Sequence, residues 1–380
     1  MRIFYTCNDL GLGHASRSIQ LGNELINRGH KVSFATGGNA YKLLKNKFKD
    51  VFYCTPIAWH ETTYGIMPMA SVLNIFIPLP KYDYDHKKIN IKRSSSMETI
   101  YRYYDEREIF SKIKADILVS DGDVTSLRMI QRLGKPSIFI TNIIKPKYNF
   151  PINFFLYPGQ RLVERYIKNC NKIIIPDLPP PYTVCEYNLG DLNQLGIREK
   201  VEFVGPFLNM NPEKGSEDFI YASITGPFGS RENLKREVIP VLSSLDHESI
   251  VSLGEPFNNY YGESGKCKIF GWLTEEKRKR FMKRAKIFII PSGHGTCFEA
   301  LKYRKPIICM PTQIEQKANA TKLENLNCAL SVRNKKELSL ALKKIEENYD
   351  FYKSNIKKIG DYASKLKALD KTSEIIELYE

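Results

Sequence analysis

One stretch constrains this chain more than any other. It is Pro291-Ser-Gly-His-Gly-Thr-Cys-Phe-Glu-Ala-Leu301, followed by Lys305-Pro-Ile-Ile-Cys-Met-Pro311 and Glu315-Gln-Lys-Ala-Asn-Ala320. A buried strand over residues 287–290 runs into a loop of small residues, and the loop opens a helix. Gly293 and Gly295 let the backbone approach a ligand closely. The free N–H groups of the helix start at Gly293, His294, Gly295 and Thr296, with the positive end of the helix dipole, suit a diphosphate. Glu299, one turn inside, is placed to accept hydrogen bonds from a ribose diol. A second strand ends at Pro311, and the next helix start presents Glu315 and Gln316, with Asn319 on the same face. Thr296-x-x-Glu299 and Thr312-x-x-Glu315 also spell capping boxes, so either pair can instead tie off its helix. Two polar loops in tandem at strand ends favour a binding site.

The beginning of the chain repeats the scheme. A strand over residues 1–7 leads into Asp9-Leu-Gly-Leu-Gly-His14, a helix from about 15 to 28 stopped by Gly29, and a second strand over 31–36. A nicotinamide site is the obvious rival. Ser16 stands where the third glycine of that fingerprint belongs, and the second strand ends in Thr36-Gly37-Gly38 with no acid for a ribose. A further strand ends in Asp121-Gly-Asp123, before a helix over 125–133; either aspartate can serve as its N-cap. A strand over 219–223 runs into Thr225-Gly-Pro-Phe-Gly-Ser-Arg231. Gly226, Gly229 and Ser230 offer phosphate contacts there, although Pro227 removes one donor; the plain alternative is an ordinary strand-to-helix turn.

The series G-x-G-T-x-x-E-A-L, then K-P, then P, then E-Q-x-x-N-A resembles the nucleotide-sugar half of GT-B glycosyltransferases, the UDP-sugar-dependent MurG-like group in particular. The resemblance implies an α/β GT-B fold, two Rossmann-like domains facing a central cleft. Residues 1–208 would bind the acceptor and 216–361 the nucleotide-sugar, with a last helix over about 362–380 returning to the first domain. Gly11 and Gly13 match the glycine loop of the acceptor side. His14 matches the base that deprotonates the acceptor hydroxyl, a task suited to an imidazole, and Asp121 matches the aspartate that orients it. Gly226, Gly229 and Ser230 occupy the donor loop, and Glu315, Gln316 and Asn319 would read the sugar. Trp272 falls near where the family places the uracil ring, or else in the core. The implied reaction is inverting transfer from a UDP-sugar, with helix N-termini in place of a metal and no cofactor. A nucleotide-sugar epimerase of the same fold and a non-catalytic nucleotide-sugar-binding subunit are the alternatives.

At 380 residues, two domains of roughly 150–200 residues are expected. The net charge of +15 fits a solvated basic surface, an anionic lipid face or phosphorylated ligands; with no nucleic-acid signature, nucleic acid is not expected as a partner. The eight cysteines show no ligand spacing and read as buried thiols of a cytoplasmic protein. The start runs directly into a strand, which reads as lacking a signal peptide, and no apolar run reaches the ~18 residues of a membrane span. Apolar residues 66–80 precede a basic run from Lys81 to Arg93, and Phe150, Phe154, Phe155 and Tyr157 lie among cations. That pairing suits peripheral contact with an anionic membrane and equally plain core elements with solvated edges; the family's lipid-linked acceptors add slightly to the former.

Overall fold

The computed structural model describes residues 1–9, 12–57, 61–62, 65–66, 68–83, 88–91, 93–146, 152–213, 215–255 and 258–380, of which 61–62, 65–66, 68, 81–83, 88–91 and 152–153 are treated by backbone alone. The first half contributes β1 (Arg2–Cys7), β2 (Lys31–Thr36) and β3 (Val51–Tyr53). Two small hairpins follow, β4 (Glu61–Thr62) with β5 (Gly65–Ile66) and β6 (Pro80–Asp83) with β7 (Lys88–Ile91). Then come β8 (Ile117–Asp121), β9 (Ser137–Ile140), β10 (Lys172–Ile175) and β11 (Val201–Phe203). Seven of these strands form one sheet in the order β11-β10-β9-β8-β1-β2-β3, every pair parallel. A parallel sheet is covered on both faces, which is why β1 and β8 are apolar nearly throughout instead of alternating.

The second half repeats the plan with β12 (Phe219–Ser223), β13 (Ser249–Ser252), β14 (Tyr261–Ser264), β15 (Cys267–Phe270), β16 (Ala285–Ile290), β17 (Ile307–Cys309) and β18 (Ala329–Ser331). Their order is β14-β15-β13-β12-β16-β17-β18, parallel except for the antiparallel edge strand β14. Both sheets are thus Rossmann-like α/β layers. In each, the strand order reverses direction at one place, between β1 and β8 in the first sheet and between β12 and β16 in the second. Open α/β sheets bind ligands outside the strand ends at such switch points.

The chain passes between the two cores more than once. Leu178 and Val184 are buried among Phe288, Ile290 and Cys297 of the second core, before the chain returns to complete the first sheet with β11. The C-terminal run expected as one helix over 362–380 is divided. Helix Tyr349–Ala363 sends Ile356, Ile359 and Ala363 into the second core, and helix Ala368–Glu377 lies on helix Leu12–Asn27 of the first. There Arg28 pairs with Asp370 and Glu377, while Ala368, Ile375 and Ile376 join Leu21 and Leu25 in one cluster. All eight cysteines are free and buried.

The terminal helix should therefore be part of the first unit's stability. Ile376 is fully buried, so Ile376→Ala is expected to cost about 2–5 kcal/mol, read from the urea unfolding transition.

Candidate active site

His14 stands in the first turn of helix Leu12–Asn27, directly after β1. Asp121 is the last residue of β8, paired in register with Cys7 at the end of β1. The switch point therefore delivers both side chains to one spot, where His14 Nδ1 lies 2.7 Å from Asp121 Oδ1. Gly122 makes room for them. Its φ is +69°, and a Cβ at that position would fall 2.6 Å from His14 Cε1. Beyond Gly122 lies a cavity of about 70 Å³ lined by Asn8, Asp9, Arg102 and Asp123 among others. Asp123 caps helix Val124–Leu133 through Thr125 N–H and receives Arg102 at 2.7 Å, so Asp121 and Asp123 face different partners. Gly13 is exposed in the first turn of its helix, and Gly11 lies outside the described residues.

Arg17 completes the group. It is three residues from His14 on the same helix face, and its Nε donates to both Asp121 oxygens at 2.9 and 2.7 Å. Its Nη2 contacts Asp121 Oδ1 and lies 2.9 Å from His14 Nδ1, while Nη1 donates to Asn142 Oδ1 at 2.9 Å. Burial alone would push the fully buried Asp121 carboxyl up. The Arg17 charge and the His14 hydrogen bond outweigh it and hold the group below the ordinary aspartate range.

On the second sheet, β12, β16 and β17 are neighbours that end on one edge, and each feeds a helix start. After β12, helix Phe228–Ser243 opens with Gly229 and Ser230, both buried, following Gly226 at φ +115°. Its first intrahelical bond is Arg231 N–H to Pro227 O, so the N–H groups of Gly229 and Ser230 have no partner within the helix. Arg231 turns back to the Gly226 carbonyl at 3.1 Å. After β16, helix His294–Tyr303 is capped by Gly293 with no side-chain bond. Its first bond is Cys297 N–H to Gly293 O, which leaves the N–H groups of His294, Gly295 and Thr296 in the same condition. After β17, helix Ile314–Asn325 begins beside the first of these loops; a Cβ on Gly226 would lie 3.9 Å from Gln313 Nε2. The three loops expected to face the donor are thus neighbours.

Several side chains are engaged differently from the sequence expectation. Neither Thr-x-x-Glu box forms. Thr296 Oγ1 donates to Gly293 O, and Glu299 is held by both Nη atoms of Arg278. The box of the third helix is shifted by one residue, with Gln313 extended at the N-cap and Gln316 Oε1 accepting from Gln313 N and Thr312 N. Gln316 thus spends its carbonyl on the helix start. Asn319 is fully buried and acts as a clamp, not a surface that reads sugar: Nδ2 donates to Ser292 O and Glu315 Oε1, and Oδ1 accepts from Asn188. The His294 imidazole is spent on Asp177, 3.0 Å from Nε2, leaving its backbone N–H at the helix start. Trp272 is 41% exposed, which excludes the core alternative.

Asp177, Cys185 and His294 form the one metal-like cluster among the described residues. Asp177 already accepts from Leu178, Val184 and Cys185 N–H and from His294, and burial drives the Cys185 thiol well up. A carboxylate with its acceptor positions filled, beside a protonated thiol, is a structural tie between the two units and a poor ligand set.

Glu315 joins the halves. Its Oε1 accepts from Asn142 Nδ2 at 3.2 Å, across from the His14 side. Asn188, Glu186 and Tyr187, from the first half of the chain, also bond to helix Ile314–Asn325.

Residues 255–374 match the model of the glycosyltransferase family 28 C-terminal domain. A Methanosarcina mazei protein described as an uncharacterized glycosyltransferase is 25% identical over 392 residues, covering 99% of this chain and 97% of its own. Among solved structures, the glycotransferase of kitacinnamycin matches with a TM-score of 0.67 at 14% identity, over 100% of this chain and 98% of that one. A UGT transferase from Siraitia grosvenorii in complex with UDP matches with a TM-score of 0.64 at 13% identity, over 99% of both chains. The fold is that of the GT-B glycosyltransferases. The whole-length relative and the family 28 match together support glycosyl transfer as the activity class.

Removing Asp121 would leave the buried Arg17 charge uncompensated, so Asp121→Ala is expected to cost about 3–5 kcal/mol in urea unfolding. Because the folded Asp121 carboxyl lies below the ordinary value, its contribution is complete above about pH 4 and is lost as pH falls through the depressed value. The difference between variant and wild type should accordingly stay flat from about pH 7 to 5 and narrow below about pH 4.

Proposed function

We propose that the protein transfers a sugar from a UDP-sugar to an acceptor hydroxyl with inversion, and that the acceptor is a lipid-linked glycan precursor. The observation that carries this reading is the hydrogen-bonded His14–Asp121 pair, joined through Asn142 to the helix whose start, with two others, forms the donor edge. In the tautomer that carries its proton on Nδ1 and donates it to Asp121, the lone pair of His14 lies on Nε2, where it takes the acceptor proton. The freed oxygen attacks the anomeric carbon, the bond to the diphosphate breaks, and the leaving charge falls on the helix starts at Gly229 and at His294, Gly295 and Thr296. No metal enters this scheme. Glu299, paired with Arg278, accepts from the ribose, and Glu315 is the donor-side carboxylate nearest the base. UDP-N-acetylglucosamine is the first donor to try, on the resemblance to the MurG-like group.

A membrane-facing surface supports the lipid-linked acceptor. Helices Pro68–Leu73 and Ile152–Lys168 pack together and leave Leu73, Phe76, Ile77, Phe154, Phe155 and Tyr157 exposed, Phe76 by 78% and Phe154 by 70%. Arg161, Arg165 and Lys168 follow on the second helix, in a chain of net charge +15. Exposed aromatics beside cations suit the interface of an anionic bilayer. Phe150 and the side chains of residues 81–92 lie outside the described residues. No described helix is long and apolar enough to cross a membrane.

The test is a screen of UDP-sugars against lipid-pyrophosphate acceptors, with donor-only controls. Transfer is expected in the wild type and a fall of about 10²–10⁴-fold in His14→Ala. Full transfer by that variant would contradict the base, and an epimerised sugar formed without acceptor would contradict transfer. In co-sedimentation, phosphatidylglycerol vesicles should bind the protein better than phosphatidylcholine vesicles, and Phe76→Ser with Phe154→Ser should weaken the binding; equal retention would remove the membrane face.

A further inference from the structure

We propose that Arg17 and Asn142 are positioning residues that tie the His14–Asp121 pair to Glu315, so that the base is oriented by the donor-side helix across the cleft. The inference rests on reading His14 as the base. The chain of contacts is unbroken. His14 Nδ1 meets Asp121 Oδ1 at 2.7 Å, Arg17 Nε donates to Asp121 Oδ2 at 2.7 Å, Arg17 Nη1 donates to Asn142 Oδ1 at 2.9 Å, and Asn142 Nδ2 donates to Glu315 Oε1 at 3.2 Å. Beyond Glu315 it runs through Asn319 Nδ2, which donates to Glu315 Oε1 and to the Ser292 carbonyl, one residue before Gly293. The base and the loop that opens the diphosphate-facing helix are two ends of one network.

The chemistry of residue 142 is specific. A guanidinium only donates, and an ionised carboxylate only accepts. Arg17 and Glu315 face each other through this one side chain, which must accept from the first and donate to the second. A primary amide does both at once. An aspartate at 142 would set a like charge against Glu315, and an alkyl side chain would cut the chain and leave a buried Arg17 donor without its acceptor. Asn142 is 5% exposed and Asp121 is fully buried. Such links are stronger than in water and costly to leave half made. A change at Glu315, such as a sugar hydroxyl competing for its oxygen, is therefore transmitted to the orientation of the imidazole.

The experiment uses the 380-residue, ligand-free protein with carbon-13 at the histidine Cε1 positions. The His14 signal is assigned by its loss in His14→Ala, and buried His30 with far-UV circular dichroism reports on the fold. Glu315→Ala is expected to move the His14 signal although it does not touch that ring. Asn142→Ala should also move it, and adding Glu315→Ala to Asn142→Ala should produce no further shift. Asn142→Asp tests the same link if the alanine variant does not fold. An unchanged His14 signal in Glu315→Ala, or an undiminished shift when Asn142 is already replaced, would overturn the inference. Because no ligand is used, that failure would leave the transfer reading standing. Failure of transfer itself is decided separately by the donor screen.

Discussion

A carboxylate with no access to water must be paired, and Asp121 is such a carboxylate. Arg17 lies beside it, itself almost enclosed, and the pair can remain buried only because each edge of the guanidinium is matched. Two nitrogens go to Asp121; the third must find an acceptor, and Asn142 supplies it. The amide then needs an acceptor of its own and finds Glu315 on the other α/β unit. The pairing of one buried charge thus runs, bond by bond, from the end of β8 to the helix after β17. His14 lies at the near end of that series and the start of helix Ile314–Asn325 at the far end.

Topology explains why these groups meet. Each sheet reverses its strand order once, and each reversal opens a crevice at the strand ends. His14 and Asp121 flank the first reversal; the Gly226 and Gly293 loops flank the second. Segment 177–189 and the terminal helix Ala368–Glu377 carry the chain between the cores, and the His294–Asp177 and Asn188–Asn319 bonds pin the two units together.

Much of this was legible from the residues. Apolar runs ending in Gly-rich loops gave the strand ends and helix starts to within a few residues, because fully buried parallel strands have an unmistakable composition. The His14–Asp121 pairing came from a family resemblance, and the geometry at 2.7 Å agrees with it. Partners distant in sequence were not legible. Arg278 is 21 residues from Glu299, Asn142 is 125 from Arg17, and Asn188 is 131 from Asn319. Arg17 carried the only local signal, its position three residues after His14 on one helix face. The cap at Gln313 was missed because Thr312 is the better N-cap by type; the extended backbone at Gln313, with φ −128°, moved the helix start on by one residue. Asn319 shares a face with Gln316, but a face shared along one helix does not reveal that Asn188 and Ser292 already engage Asn319.

On the proposed reading, with His14 as the base opposite helix starts that receive a leaving diphosphate, the arrangement makes a definite stereochemical demand. Attack by a hydroxyl that His14 deprotonates must come from the face opposite the departing group, in one step. The anomeric configuration of the product, read by proton NMR from a UDP-α-sugar donor, tests that geometry most directly. A β-linked product is the predicted result. An α-linked product would mean a covalent or front-face route, and the arrangement of His14 against the donor edge would not account for the reaction.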